Sequence, residues 1–152
     1  MLDSSGSEIF PELTIGNKNT ASMYYDSYSL IINCTKNLPI SNSSQITTIR
    51  IPIDDLPEDS EILLSYLPSI TEKIHEAILK RKKVLVHCSM GISKSCTVVA
   101  AYLIRYYNVT SVDEVISFIK EKRKEAFFGG VHFRQLLEYW LNIKNNQSES
   151  YP

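Results

Sequence analysis

The sequence predicts an α/β fold: a central sheet of four or five mostly parallel strands with helices on both faces. Three observations predict it. Short runs rich in Ile, Val, Thr and Tyr crowd the first half of the chain, and longer runs with apolar residues at helical spacing fill the second. One short run, VLVH at 84–87, is apolar almost throughout, as suits a central strand covered on both sides. The length, 152 residues, suits one domain with one core.

Taken in order, LTIG at 13–16 is the first expected strand, and Asn19 to Asp26 reads as a short helix. YSLIIN at 28–33 and ITTIRIPI at 46–53 follow as strands bounded by polar or Pro-containing turns. From Ser60 to Lys83, Ile62, Leu63, Tyr66, Leu67, Ile70, Ile74, Ile78 and Leu79 recur near helical spacing. Pro68 is expected to kink or divide that stretch. After VLVH, Val98, Val99, Tyr102 and Leu103 mark a helix starting at about Lys94 or Ser95. Ser111 and Glu114 form a capping box for a helix to about Lys124. Phe133, Leu136, Leu137, Trp140 and Leu141 share one face of the last helix. The domain is expected over residues 8–144, with polar, frayed ends at 1–7 and 145–152.

Charge is nearly balanced, 16 Lys and Arg against 17 Asp and Glu, which speaks against nucleic acid or an anionic membrane as partner. No apolar run is long enough to span a bilayer, and MLDSSGSEIF lacks the regions of a signal peptide. A cytoplasmic or nuclear location is expected. The cysteines, Cys34, Cys88 and Cys96, are odd in number and without paired spacing, so no disulfide framework is expected. Cys and His are too few for a structural zinc site, and neither a metal nor an organic cofactor is implied.

The chemistry concentrates in VLVHCSMGISKSCT at 84–97. A buried strand ends at His87, a loop begins with Cys88 and contains Gly91, and a helix follows. In such a strand–loop–helix the free N–H groups of Ser89, Met90, Gly91, Ile92, Ser93 and Lys94 form a cradle for a phosphoryl group, aided by the helix dipole. The same field favours the thiolate of Cys88, which can attack phosphorus to give a phosphocysteine. Ser95 is placed to donate a hydrogen bond to the sulfur when it leaves.

These residues resemble the signature H-C-x-x-G-x-x-R-[ST] of the cysteine-dependent protein tyrosine phosphatases, through His87, Cys88, Gly91 and Ser95. Ile15, Gly16 and Ala21, IINCT at 31–35, IPIDDLP at 51–57, TVVAAYLI at 97–104 and FRQLLEYW at 133–140 extend the likeness from about Glu8 to Trp140. The short chain is similar to the dual-specificity type. The resemblance implies a phosphorylated protein as substrate, a protein tyrosine phosphatase-like fold, and His87 as support for the loop rather than a base. It also implies a general acid after the IPIDD strand, at Asp55 with Asp54 as the alternative one residue away. A lipid substrate fits less well, because the loop adds no basic residue beyond Lys94, and an RNA triphosphatase would need a more basic surface.

Two positions depart from that pattern. Lys94 stands where the family has Arg, and Gly130 where members often have a loop-supporting Asn. Lys keeps the charge but not the planar fork that holds two phosphoryl oxygens. Losing one aligned charged contact costs about 2–4 kcal/mol, or ~10²–10³ in rate. A slow phosphatase and a pseudophosphatase that binds phosphoproteins without turnover are therefore both open. Cys34 and Cys96 read as packing residues, with Cys34 a candidate partner for a protective disulfide to Cys88. His75 and His132 read as surface or satisfied side chains. Lys120, Lys122, Arg123 and Lys124 read as a solvated helix face.

Overall fold

The computed structural model describes residues 6–40 and 43–149. It contains a sheet of β1 (Ser7–Phe10), β2 (Leu13–Gly16), β3 (Leu30–Asn33), β4 (Thr47–Arg50) and β5 (Val84–His87). Their order across the sheet is β1-β2-β5-β3-β4. β2, β5, β3 and β4 run parallel, and β1 is antiparallel to β2. Parallel neighbours need long crossovers, and helices supply them. β5 pairs on both sides and all four of its residues are buried, the place its apolar run predicts.

Five helices flank the sheet: α1 (Lys18–Tyr24), α2 (Ser60–Leu79), α3 (Lys94–Tyr106), α4 (Val112–Lys122) and α5 (Arg134–Glu149). α3 is the hub, with every residue from Ser95 to Ile104 buried. It packs against α2, α4 and α5 and against β2 and β5. Ala100 and Ala101 carry little side chain, and the Trp140 indole N–H donates to the Ala101 carbonyl at 2.9 Å. Among the described residues no helix is long and apolar enough to cross a membrane.

Four details differ from the expectation. β1 was not foreseen as a strand: Ser7–Phe10 begins on the last residue of the stretch read as a polar end, and a Pro11–Glu12 turn folds it onto β2. α2 is not divided at Pro68. Pro68 is on an exposed face, while Leu63, Leu67, Ile70, Thr71, Ile74 and Ala77 bury a continuous stripe around it. That packing outweighs the roughly 3 kcal/mol cost of an internal proline. At α4, Ser111 Oγ accepts the Glu114 N–H at 3.1 Å, but Glu114 reaches past Ser111 to the Thr110 N–H and hydroxyl, so the box is not closed on itself. α5 continues through Asn145 to Glu149, beyond the expected fraying point. The expectations for residues 1–5 and 150–152 lie outside the described residues.

Leu137 is fully buried on α5, facing the hub. Leu137→Ala should lower stability by about 2–5 kcal/mol. Urea unfolding should show a lower midpoint with an unchanged slope.

Candidate active site

The end of β5 places Cys88 at the start of a loop that must turn back into α3 within six residues. Gly91 makes the turn possible. Its φ is +70°, in the left-handed region that side chains avoid. A Cβ there would also come within 2.6 Å of the Gly16 carbonyl oxygen and of Arg123 Nη2. The turned loop brings the Gly91 N–H to 3.2 Å from Cys88 Sγ, and Ser95 Oγ stands 3.2 Å from the same sulfur. Cys88 is thus a buried sulfur with two hydrogen-bond partners, at the N-terminus of α3, which lends partial positive charge.

The loop is braced from four sides. The Lys18 N–H donates to the Ser89 carbonyl at 3.0 Å, tying it to α1. The Phe127 N–H donates to the Ile92 carbonyl at 2.6 Å. The Thr97 N–H and hydroxyl both donate to the Ser93 carbonyl at 2.8 Å. The fourth brace is Arg123. Its Nε–H donates to the Gly91 carbonyl at 2.7 Å, Nη1 donates to Ser7 Oγ at 2.9 Å, and Nη1 lies 3.2 Å from a Glu125 carboxylate oxygen.

This corrects the reading of Lys120, Lys122, Arg123 and Lys124 as one solvated face. The three lysines are exposed, but Arg123 is 1 % exposed. α4 ends at Lys122, and Arg123 takes up an extended backbone as the helix cap, so its side chain leaves the helical face and runs under the loop. The available signal was the single Arg among lysines: a guanidinium fork can satisfy several oxygens at once where an ammonium cannot.

The remaining candidates fall into place unequally. Ser89 and Met90 are exposed at the mouth, Ile92 and Lys94 are half-buried, and Ser93 is buried. His87 is 2 % exposed, and burial pushes its ring down to about 4, against the opposing hydrogen bond to the Cys88 backbone. It is neutral near pH 7 and carries no proton for chemistry. Burial pushes the Cys34 and Cys96 thiols well up, with the Cys88 charge adding to the rise in both. All three cysteines are free, so Cys34 forms no disulfide with Cys88 in this structure.

The two aspartates separate cleanly. Asp54 turns outward to Lys36, at 2.8 Å. Asp55 turns to the cradle, where Ser93 Oγ donates to its Oδ1 at 2.5 Å. Its Oδ2 lies 2.8 Å from His132 Nδ1. His132 is thus an exposed and satisfied side chain, as read, and the partner that satisfies it is the Asp55 carboxylate. Gly129 and Gly130, at φ +92° and +115°, fold the preceding loop so that the ring reaches Asp55. Lys94 Nζ is directed at the acid segment as well, 3.4 Å from the Ile53 carbonyl oxygen. His75 is a satisfied side chain, with Nδ1 3.0 Å from the Tyr102 hydroxyl and its ring stacked on Tyr106. Among the described residues no group of three or more His, Cys, Asp or Glu could hold a metal ion.

Residues 13–141 match the family described as dual specificity phosphatase, catalytic domain. The chain is 39% identical over 121 residues to a putative tyrosine phosphatase of Invertebrate iridescent virus 6, covering 78% of this chain and 81% of the relative. It is 32% identical to dual specificity protein phosphatase 14 of Homo sapiens, covering 72% of this chain but only 54% of that protein. A mouse putative dual specificity phosphatase, crystallised with zinc tungstate, superposes with a TM-score of 0.83 at 24% identity, covering 97% of this chain and 92% of the other.

Arg123→Lys should remove at least the Nε contact to the Gly91 carbonyl while keeping the charge. The expected loss is about 1.5–3 kcal/mol, the worth of a charged hydrogen bond. Protection of Cys88 from alkylation by inorganic phosphate should weaken in parallel.

Proposed function

The chain belongs to the dual specificity phosphatase family, and on that premise we propose that it hydrolyses phosphotyrosine, and also phosphoserine and phosphothreonine, in phosphoproteins through a phosphocysteine at Cys88. The observation that carries this reading is the sulfur of Cys88 at the floor of a braced cradle, 3.2 Å from both the Gly91 N–H and Ser95 Oγ.

In the first step the Cys88 thiolate forms the S–P bond as the P–O bond to the substrate breaks. The loop N–H groups carry the phosphoryl oxygens. Asp55 gives its proton to the departing oxygen. In the second step water attacks phosphorus and yields a proton to Asp55. The S–P bond breaks, Ser95 steadies the returning thiolate, and inorganic phosphate leaves. His87 stays neutral throughout and supports the loop. Asp55 is the acid rather than Asp54 in this reading, because only Asp55 contacts a cradle residue.

Lys94 is the weak point. It offers one contact where a fork would hold two oxygens. A second reading, a pseudophosphatase that captures phosphoproteins, rests on this residue and on Gly130, which has no side chain to support the loop. Turnover decides between them. Wild type should release phosphate slowly from a phosphotyrosyl peptide, and Cys88→Ser should abolish the release. Lys94→Arg should raise kcat about 10²-fold with a smaller change in KM, the sign of transition-state stabilisation. No Cys88-dependent release from either form would favour the binding module instead.

Asp55→Asn should slow substrates with poor leaving groups much more than aryl phosphates with good ones. Equal slowing of both would assign Asp55 a structural role.

A further inference from the structure

Both carboxylate oxygens of Asp55 accept hydrogen bonds: Oδ1 from the Ser93 hydroxyl at 2.5 Å and Oδ2 from the His132 ring, with Nδ1 at 2.8 Å. Only an ionised carboxylate accepts at both oxygens without having to donate. The Asp55 and His132 side chains are 35% and 39% exposed, so water moderates the pair without breaking it. The surroundings leave His132 to Asp55. Asp54 is engaged by Lys36, and Asp59 accepts from the Asp54 N–H. Glu125 is paired with Arg123, Arg134 with Asp113, and Lys94 is directed at the Ile53 carbonyl.

We propose that His132 is a positioning and specificity-determining residue, whose ring must release Asp55 Oδ2 before that carboxylate can deliver a proton and so biases this site toward aryl phosphomonoesters such as phosphotyrosine over alkyl ones such as phosphothreonine. The proposal rests on the phosphatase reading above and names its preferred substrate class.

The chemistry runs as follows. Asp55 can protonate a leaving oxygen only after taking up a proton, and with His132 charged that gives up the ion pair. A phenoxide leaving group, whose conjugate acid has a pKa of about 10, needs little help. An alkoxide, about as basic as hydroxide at roughly 15.7, needs the proton in full. The ion pair therefore holds back the alkyl substrate selectively. In the second step Asp55 must again take up a proton, now from water and against the same pair, but the phosphocysteine is common to both substrates, so that cost leaves their ratio unchanged. Asp55 raises the His132 ring above its ordinary range, by hydrogen bond first and charge second, with the Gly129 carbonyl adding to it. A raised histidine contributes its pairing fully below about 6.5. The contribution is lost as pH rises through the raised midpoint. The part of the bias that His132 supplies should therefore be strong at pH 6 and fall away by pH 8.5.

The test uses phosphotyrosyl and phosphothreonyl peptides of one sequence, with wild type, His132→Gln, His132→Lys and Cys88→Ser. His132→Gln should raise the phosphothreonyl-to-phosphotyrosyl ratio of kcat/KM about three- to fivefold at pH 6, the size expected of a half-exposed pair. At pH 8.5 it should match wild type. His132→Lys restores a cation and should hold the ratio low at both pH values. A ratio that falls in His132→Gln, or changes equally at both pH values, would overturn the proposal, because His132 would then support the acid only structurally. Wild-type activity equal to that of Cys88→Ser on both peptides would overturn the phosphatase reading and this proposal with it.

Discussion

The site depends on one constraint, the reversal of the chain between the end of β5 and the start of α3. Gly91 must hold φ +70° with the Gly16 backbone and the Arg123 fork where a Cβ would stand. That crowding sets the geometry of the sulfur, because the Gly91 N–H is one of its two partners. The carbonyl of the same residue, turned away from the cradle, takes hydrogen bonds from Arg123 Nε and the Cys96 thiol. The Met90 carbonyl shares its peptide plane with the Gly91 N–H, and Arg123 Nη2 reaches that carbonyl at 3.5 Å, so a buried guanidinium behind the loop helps orient a donor in front of it. Arg123 in turn reaches Ser7 on the outermost strand. The sheet edge, the end of α4 and the cradle are thus one connected network.

The same network separates three thiols of identical chemistry. Cys34 and Cys96 are fully buried and held well above the ordinary thiol range. They remain neutral packing groups. Cys88 is also nearly buried, but it stands in the loop ahead of α3, facing that helix's N-terminus, and it alone of the three has an amide and a hydroxyl directed at its sulfur. On the proposed mechanism the reactivity of Cys88 follows from these two partners and the helix N-terminus it faces rather than from exposure. His87, pushed down to about 4, adds no positive charge beneath the loop near pH 7. The positive field around Cys88 comes from the loop amides, the helix N-terminus and the nearby Lys94 and Arg123 cations, not from an ionised histidine.

How far the sequence was legible follows the range of the interactions. The parallel sheet, the central place of VLVH and the burial of Phe133, Leu136, Leu137, Trp140 and Leu141 rest on periodicity and apolar runs, which are local. So does the loop from Cys88 to Ser95. β1 was hidden because SEIF is short and only half apolar, and only its pairing with β2 makes it a strand. Pro68 misled because propensity is local while the packing of α2 on α3 is not. Arg123 and His132 lie 32 and 77 residues from the groups they touch, as numbering from Gly91 and Asp55 shows (123 − 91 and 132 − 55). Arg123 escaped as one of four consecutive-looking cations, and His132 because a lone histidine after two glycines carries no pattern. Neither contact has a periodicity to read.

Lys94 and His132 bear on one another through the acid segment. Residues 53–55 are held to the cradle by three donors: Lys94 to the Ile53 carbonyl, Ser93 to Asp55 Oδ1 and His132 to Asp55 Oδ2. A flexible ammonium can lie along that segment, as Lys94 does at 3.4 Å, because its three donors rotate freely and those not used can meet water at a half-buried site. A planar fork of five N–H groups has less freedom to do so. The Lys94 ammonium is thus directed at the segment that carries Asp55. The tether is long and weak, so a phosphoryl dianion entering the cradle would compete for the same ammonium and draw it inward. Asp55 would then keep its position through Ser93 and His132 alone, which makes those two contacts the ones that fix the acid during reaction. In this chain the weakness at Lys94 and the added hold at His132 belong to the same few ångströms of structure, where the grip on phosphate and the placement of the acid draw on shared donors.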